Sequence, residues 1–180
     1  MSTALGLEKL KQIPLFAGLT DDEFKRLQQV AAVATFEPGE FVIEQDQRSQ
    51  HLWVLLEGRC EVIKYVDQGK NGPVPTVLAV LSEHSNFGEM SFFHDAPHSA
   101  AVRAQTRVKL LHLTRSQYND LVNSQSSLAC KLTVNVVQIL AERLRRMDQW
   151  VVELKTKTEQ PQNAADWSKL RSQLFDTWQL

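Results

Sequence analysis

Fourteen residues, Phe87 to Ala100 (F-G-E-M-S-F-F-H-D-A-P-H-S-A), hold the side chains of this sequence best suited to chemistry. A glycine such as Gly88 at the head of a short helix lets backbone N–H groups approach an anion closely. Together with the helix dipole they form a phosphate site. Glu89, beside it, offers a carboxylate that accepts hydrogen bonds from a sugar hydroxyl. His98, ten residues on, returns to the same anion if the loop folds back. The chemistry these residues suggest is binding of a phosphate and a sugar. Each also has a plainer role: Glu89 as a carboxylate bonded to nearby backbone in a tight turn, His98 as a polar turn residue.

A metal cluster is the competing reading, since His94 and His98 stand four apart with Asp95 between them and His84 upstream. The His-x-His spacing of metal-binding cupins is missing, and Pro97 breaks any helix that would align the pair. No Ser-His-Asp, Cys-His or paired-carboxylate arrangement points to catalysis.

Short strands must position this stretch. Phe41-Val42-Ile43, Leu52 to Leu56 and Cys60 to Val66 read as strands, punctuated by turns at Gln45-Asp46 and Glu57-Gly58. Asp67 to Pro75, with two glycines and two prolines, reads as an exposed hairpin loop, and Thr76 to Leu81 as the next strand. After the central stretch, Val102, Ala104, Thr106, Val108 and Leu110 alternate with Arg103, Gln105, Arg107 and Lys109, the clearest strand in the chain. Many short strands at close intervals predict an antiparallel barrel or jelly roll.

Helices flank the strands. Leu5 to Ile13 has a rough helical period closed by Pro14. Thr20-Asp21-Asp22-Glu23 is a capping box, followed by Phe24, Leu27, Val30 and Ala31 on one face. Thr114-Arg115-Ser116-Gln117 is a second capping box, and a long helix is predicted over 127–155. Along it Val137, Leu140, Leu144, Met147, Val151 and Leu154 alternate at spacings of three and four, a heptad seam that predicts a parallel dimer rather than burial on the same chain. Residues 156–165 read as a linker. Residues 166–180 read as an amphipathic helix with Trp167, Leu170, Leu174 and Trp178 on its face, docked on its own chain or on a protein partner.

The composition narrows the class. The chain has 180 residues, 43% of them hydrophobic, which is enough for one domain with a sizeable core and an appendage. A net charge of −1 argues against a protein that coats nucleic acid. Two cysteines, Cys60 and Cys130, make no disulfide framework and suit a reducing compartment, the cytoplasm. The first residues carry no signal-peptide pattern, and no apolar run is long enough to cross a membrane.

The sequence resembles the cyclic-nucleotide-binding domain family, which includes the bacterial catabolite activator and the regulatory subunits of cyclic-AMP-dependent kinase. The resemblance covers about 5–154. It rests on I-P-L-F-A-G-L-T-D-D-E-F at the start, the P-G-E-F-V-I turn, the L-E-G-R-C-E-V hairpin and F-G-E-M-S…P-H-S-A. It implies an α+β chain: an antiparallel β jelly roll (double-stranded β-helix) over about 33–113, with N-terminal helices, a long dimerisation helix and a short terminal helix. Residues 1–155 would form the family's domain. The fourteen-residue stretch would be its phosphate-binding cassette.

Carried over, Gly88 matches the cassette glycine and Glu89 the acid that binds the ribose 2′-hydroxyl. Met90 and Ser91 match positions whose backbone N–H groups face the cyclic phosphate, and Ser99 and Ala100 the small residues after the phosphate-binding arginine. His98 stands where that arginine belongs. His84-Ser85 replaces a usual Gly-Asp pair, and Gln45 a usual glycine before Asp46. Histidine lacks the permanent charge and donor fork of arginine. A phosphate contact through it implies binding that tightens below about pH 6.5. Too few residues follow Leu154 in this sequence for the winged helix-turn-helix of the transcription-factor branch, which needs about 60–70, so direct nucleic-acid contact is not expected. The resemblance thus implies a non-enzymatic, cytoplasmic, homodimeric regulatory module with cyclic AMP or cyclic GMP as ligand. The alternatives are a ligand-free constitutive dimer or scaffold and, behind it, a cupin-like metalloprotein.

Overall fold

The computed structural model describes residues 10–67, 69 and 72–157. Helix α1, Asp21–Val30, starts where the first capping box predicts: Thr20 N–H donates to Glu23 Oε2 (2.7 Å) and Glu23 N–H to Thr20 Oγ1 (3.3 Å). It buries Phe24 and Leu27. Before it, Pro14–Phe16 form a single 3-10 turn with the proline at its first position, where a missing N–H costs nothing. Of the helix predicted over Leu5 to Ile13, residues 10 and 11 are helical and 1–9 lie outside the described residues.

The strands are β1 (Ala32–Phe36), β2 (Phe41–Ile43), β3 (His51–Glu57), β4 (Cys60–Asp67), β5 (Pro73–Leu81), β6 (Asn86–Phe87), β7 (Ala101–Ala104) and β8 (Val108–Thr114). They form two four-stranded antiparallel sheets, ordered β1-β8-β3-β6 and β2-β7-β4-β5, the expected jelly roll. Between the sheets lies a core of Ile43, Trp53, Leu55, Cys60, Phe87, Val102, Ala104, Val108 and Leu110. Burial pushes the Cys60 thiol up to about 11, so it behaves as a small apolar side chain.

Three local expectations change. The alternation from Val102 to Leu110 is two strands, β7 in one sheet and β8 in the other, with a bend at Gln105–Arg107. Arg59 holds the bend: its carbonyl accepts from Gln105 N–H (2.9 Å), and its N–H donates to Thr106 Oγ1 (3.0 Å). The inward phase survives the change of sheet, because Val102, Ala104, Val108 and Leu110 all reach the same core. Strand β5 begins at Pro73, inside the segment read as a loop; it is an edge strand, where proline's lack of a donor is harmless. Strand β1 lies in a stretch to which the residue pattern assigned none.

Helix α2 (Glu89–Phe93) falls in the central stretch. Helix α3 (Arg115–Asn123) opens on the second capping box, with Thr114 N–H to Gln117 Oε1 at 2.8 Å and Gln117 N–H to Thr114 Oγ1 at 3.2 Å. Helix α4 spans Ser127–Lys157, so the start of the predicted linker at residue 156 is still helical. The chain divides into two compact units, 1–139 and 140–180.

In the first unit α4 buries Leu128, Ala129, Leu132 and Val136, and Asn135 Nδ2 donates to the carbonyls of Leu15 and Ala17, both at 2.9 Å. Glu23 accepts from Ser127 Oγ (2.6 Å) and Lys131 Nζ (2.7 Å). Of the predicted seam, Val137 is exposed in the first unit. In the second, Leu140 is half-buried and Leu144, Met147 and Val151 are exposed, as are Trp150 and Val152, which the seam did not include. The Leu154 side chain and residues 158–180, including Trp167, Leu170, Leu174 and Trp178, lie outside the described residues.

Burial works to raise the Glu23 pKa, but hydrogen bonds from Lys131, Ser127 and Thr20 pull it down to about 2. A depressed carboxylate contributes stability that is complete above its unfolded value and lost as pH falls through the folded one. Glu23→Gln should therefore cost about 1.5–3 kcal/mol at pH 7. The gap from wild type should close as melting is followed from pH 5 down to pH 2. A gap that stays constant over that range would refute the assignment.

Candidate functional site

The site is built on α2 and on the loop that returns from it. Gly88 caps α2 with a left-handed backbone, φ 83°. A Cβ there would lie 2.5 Å from the His51 carbonyl oxygen and 3.2 Å from the Trp53 ring, so close approach and conformation both require glycine. Glu89 and Ser91 are buried, whereas the Met90 side chain points outward and is 62% exposed. The helix is closed by Phe92 N–H to the Gly88 carbonyl (3.0 Å) and His94 N–H to the Met90 carbonyl (2.9 Å).

Past Pro97 the loop is stitched to the turn after β2. His98 N–H donates to the Gln47 carbonyl and Asp46 N–H to the His98 carbonyl, both at 2.9 Å. Asp46 sits at φ 65°, which supports the predicted turn. Gln45 pairs through its side-chain amide with the Tyr65 backbone (Tyr65 N–H to Gln45 Oε1, 2.8 Å), acting as an extra rung toward β4. Lys64 Nζ donates to the Ser99 carbonyl, and Arg48 pairs with Asp95 at 3.3 Å. Ser99 is exposed and Ala100 half-buried, leading into β7.

His98 is only 4% exposed, and both its ring nitrogens are engaged. Nδ1 lies 3.0 Å from Ser91 Oγ and Nε2 lies 2.7 Å from Ser49 Oγ. Burial lowers its pKa, the hydrogen bond at Ser49 opposes that, and nearby His51 lowers it further. His51 packs edge-on to His112 (5.4 Å between centroids), which packs at a tilt of 38° on Trp53 (4.6 Å). Burial lowers the pKa of both. Among the described residues no group of three His, Cys, Asp or Glu side chains is placed to hold a metal ion.

Of the seven predicted residues, Ser91 and His98 meet directly and Gly88 shapes the corner. Met90 contributes no side chain to this contact. The sequence reading missed Ser49, Lys64 and Arg115. Ser49 and Lys64 carry no local signal, because their partners lie 49 and 35 residues away. Arg115 stood inside a recognised capping box, yet its side chain joins helices: Cζ lies 5.7 Å from the Phe92 and Phe93 ring centroids and 5.2 Å from Tyr118. Its Nη1 also donates to the Phe92 carbonyl (3.2 Å). The Tyr118 hydroxyl then lies 2.6 Å from Thr133 Oγ1 on α4. Rings, guanidinium and hydroxyl thus run without a break from α2 through α3 to α4.

Two positive-φ positions give opposite expectations. Gly88→Ala should destabilise by about 2–5 kcal/mol, combining left-handed strain with overpacking against the His51 carbonyl. His84, at φ 73°, occupies a conformation that glycine adopts freely; relief of about 1–2 kcal/mol of left-handed strain, less about 0.5–1 kcal/mol for glycine's flexibility, means His84→Gly should stabilise by about 0.5–1 kcal/mol. Denaturant melts of the two variants check both signs. Two shifts of the same sign would contradict this reading of the backbone.

Comparison with known proteins gives a consistent picture. The family model for the cyclic nucleotide-binding domain matches residues 33–125, just over half of the chain. The cAMP-dependent protein kinase regulatory subunit of Yarrowia lipolytica is 28% identical over 113 residues, which is 63% of this chain and 28% of that protein. The chain therefore spans about a quarter to a third of the length of such curated relatives. Among solved structures, the Thermus thermophilus catabolite activator protein is 26% identical with a TM-score of 0.68, covering 79% of this chain and 63% of that one. The cAMP-bound PfPKA-R structure is 25% identical with a TM-score of 0.54, covering 63% and 39%. With this match over more than half of its length and its jelly roll, the chain belongs to the cyclic nucleotide-binding domain family.

Proposed function

We propose that this chain is a non-enzymatic regulatory module that takes a cyclic nucleotide, cyclic AMP or cyclic GMP, at the cassette and transmits its occupancy through α3 to α4. The observation that carries the reading is the cassette itself: a left-handed Gly88 heading α2, with the returning loop closed on that helix by His98 and Ser91. In this reading the backbone N–H groups of Met90 and Ser91 hold the cyclic phosphate, Glu89 the ribose, and His98, Ser99 and Ala100 close the anion's other side. Relatives named for cAMP dependence support that ligand class. Movement of α2 is felt at Arg115 and Tyr118, and through the Tyr118–Thr133 bond at α4.

The partner in this reading is a second copy. In the first unit Val137, and in the second Leu144, Met147 and Val151, are exposed apolar residues of α4 at heptad spacing, a period that Leu140 and Leu154 complete in the sequence. The compartment is the cytoplasm, supported by the free cysteines; no described helix is long and apolar enough to cross a membrane. A second reading, a ligand-free dimer or scaffold, is favoured by one observation: both His98 ring nitrogens are already engaged within the chain.

Calorimetry with cyclic AMP and cyclic GMP on wild type and His98→Arg separates the two. The sensor reading expects micromolar binding by the wild type near pH 7. It expects about ten- to a hundredfold tighter binding by the arginine variant, the worth of a charge-assisted hydrogen bond. Silence in both proteins would overturn it in favour of the scaffold.

A further inference from the structure

Ser49, His98 and Ser91 form a chain of two hydrogen bonds across an imidazole. A neutral imidazole carries one N–H, so one nitrogen donates and the other accepts. One serine hydroxyl is therefore spent as a donor to the ring, whichever tautomer is present. An imidazolium donates from both nitrogens. Both serines then act as acceptors, and the hydroxyl proton that had pointed at the ring is released to point elsewhere. Adding one proton thus changes two things at once: it places a positive charge on a 4%-exposed group and frees a hydroxyl donor. A buried charge with no counter-ion is costly, and an anion is the natural compensation.

The surroundings favour an anion there over a carboxylate of the chain. On β3, positive charge on His51 would disfavour a proton on the ring. On β4, Lys64 is bound to the Ser99 carbonyl, one residue past His98. On the loop itself, Asp95 is paired with Arg48, and the Asp46 and Gln47 contacts to His98 are made by backbone. On α2, Glu89 is buried two residues before Ser91. None of the ion pairs formed among the described residues is made by His98. Ser49 is the half-buried end of the chain, on the segment between β2 and β3, and is the hydroxyl nearer solvent.

We propose that Ser49 is a ligand-binding residue outside the cassette, and that the Ser49–His98–Ser91 chain couples binding of a cyclic phosphodiester to uptake of one proton. The proposal rests on the cassette being a nucleotide site. It differs from a simple histidine contact, because in the imidazolium state, whichever tautomer preceded it, the Ser49 hydroxyl accepts from the ring and is free to donate to the anion beside the ring's charge. Affinity then rises about tenfold per pH unit of acidification between the His98 pKa of the liganded and free protein, and levels off below the free value.

The test is calorimetry of wild type with cyclic AMP at several pH values, each in two buffers of different ionisation enthalpy. The dependence of the observed heat on the buffer counts the protons taken up. We expect close to one proton at pH 7 and close to none once the free histidine is already charged. Ser49→Ala should keep the proton uptake but bind about tenfold more weakly at pH 6. His98→Arg should bind with no proton uptake and a flat pH profile. Nitrogen-15 shifts of the His98 ring in wild type should change from neutral to doubly protonated on adding cyclic AMP at pH 7. Binding without proton uptake, or with Ser49→Ala indistinguishable from wild type, overturns the coupling and leaves the nucleotide reading standing. Absence of binding by wild type and His98→Arg at every pH overturns both.

Discussion

An imidazole has two nitrogens, and the site depends on both of them being held. Through Ser91, His98 ties the returning loop to the cassette helix; through Ser49 it ties the same loop to the segment between β2 and β3. The backbone pair at Asp46 and Gln47 fixes the ring's position along that segment. A guanidinium at this position would be permanently charged and would need an anion to be buried. An imidazole can be buried neutral, and here both of its nitrogens are hydrogen-bonded within the chain. Gly88 makes the other side possible, since the chain passes the His51 carbonyl at a distance that leaves no room for a Cβ.

From that corner the connections run outward in a definite order. Phe92 and Phe93 leave the cassette helix and pack on Arg115 and Tyr118 of α3. Tyr118 meets Thr133 on α4, and Lys131 and Ser127 of α4 meet Glu23 of α1. The first turns of α4 are thus held by Tyr118, which also packs on Phe92 and Phe93, and by Glu23 of α1; further along, Leu144, Met147, Trp150, Val151 and Val152 are exposed.

Much of this was legible in the sequence because it is locally encoded. Both capping boxes announce their helices within four residues. Gly88, Glu89, Ser91 and His98 stand in one contiguous stretch, so the helix that Gly88 heads and the return of the loop onto Ser91 are close in sequence. The alternation from Val102 onward correctly gives the inward side chains, but alternation carries no information about which sheet a strand joins, so the bend at Gln105–Arg107 was invisible. The prolines of β5 read as a loop because their tolerance at an edge depends on which strand ends up outermost. Ser49 and Arg115 were missed for a related reason: their roles arise from partners brought near by the fold. The three-and-four period on α4 was legible, but the period does not include Trp150 and Val152, which are also exposed.

The central claim is that a cyclic nucleotide is held at the corner formed by Gly88, Ser91 and His98. Backbone amide NMR of the labelled protein titrated with cyclic AMP tests it most directly. If the claim is right, the largest saturable shifts fall on the amides of Gly88 to Ser91 and of His98 to Ala100, with smaller ones at Arg115, Tyr118 and Thr133. Shifts absent at millimolar nucleotide, or confined to surfaces away from the cassette, would contradict it.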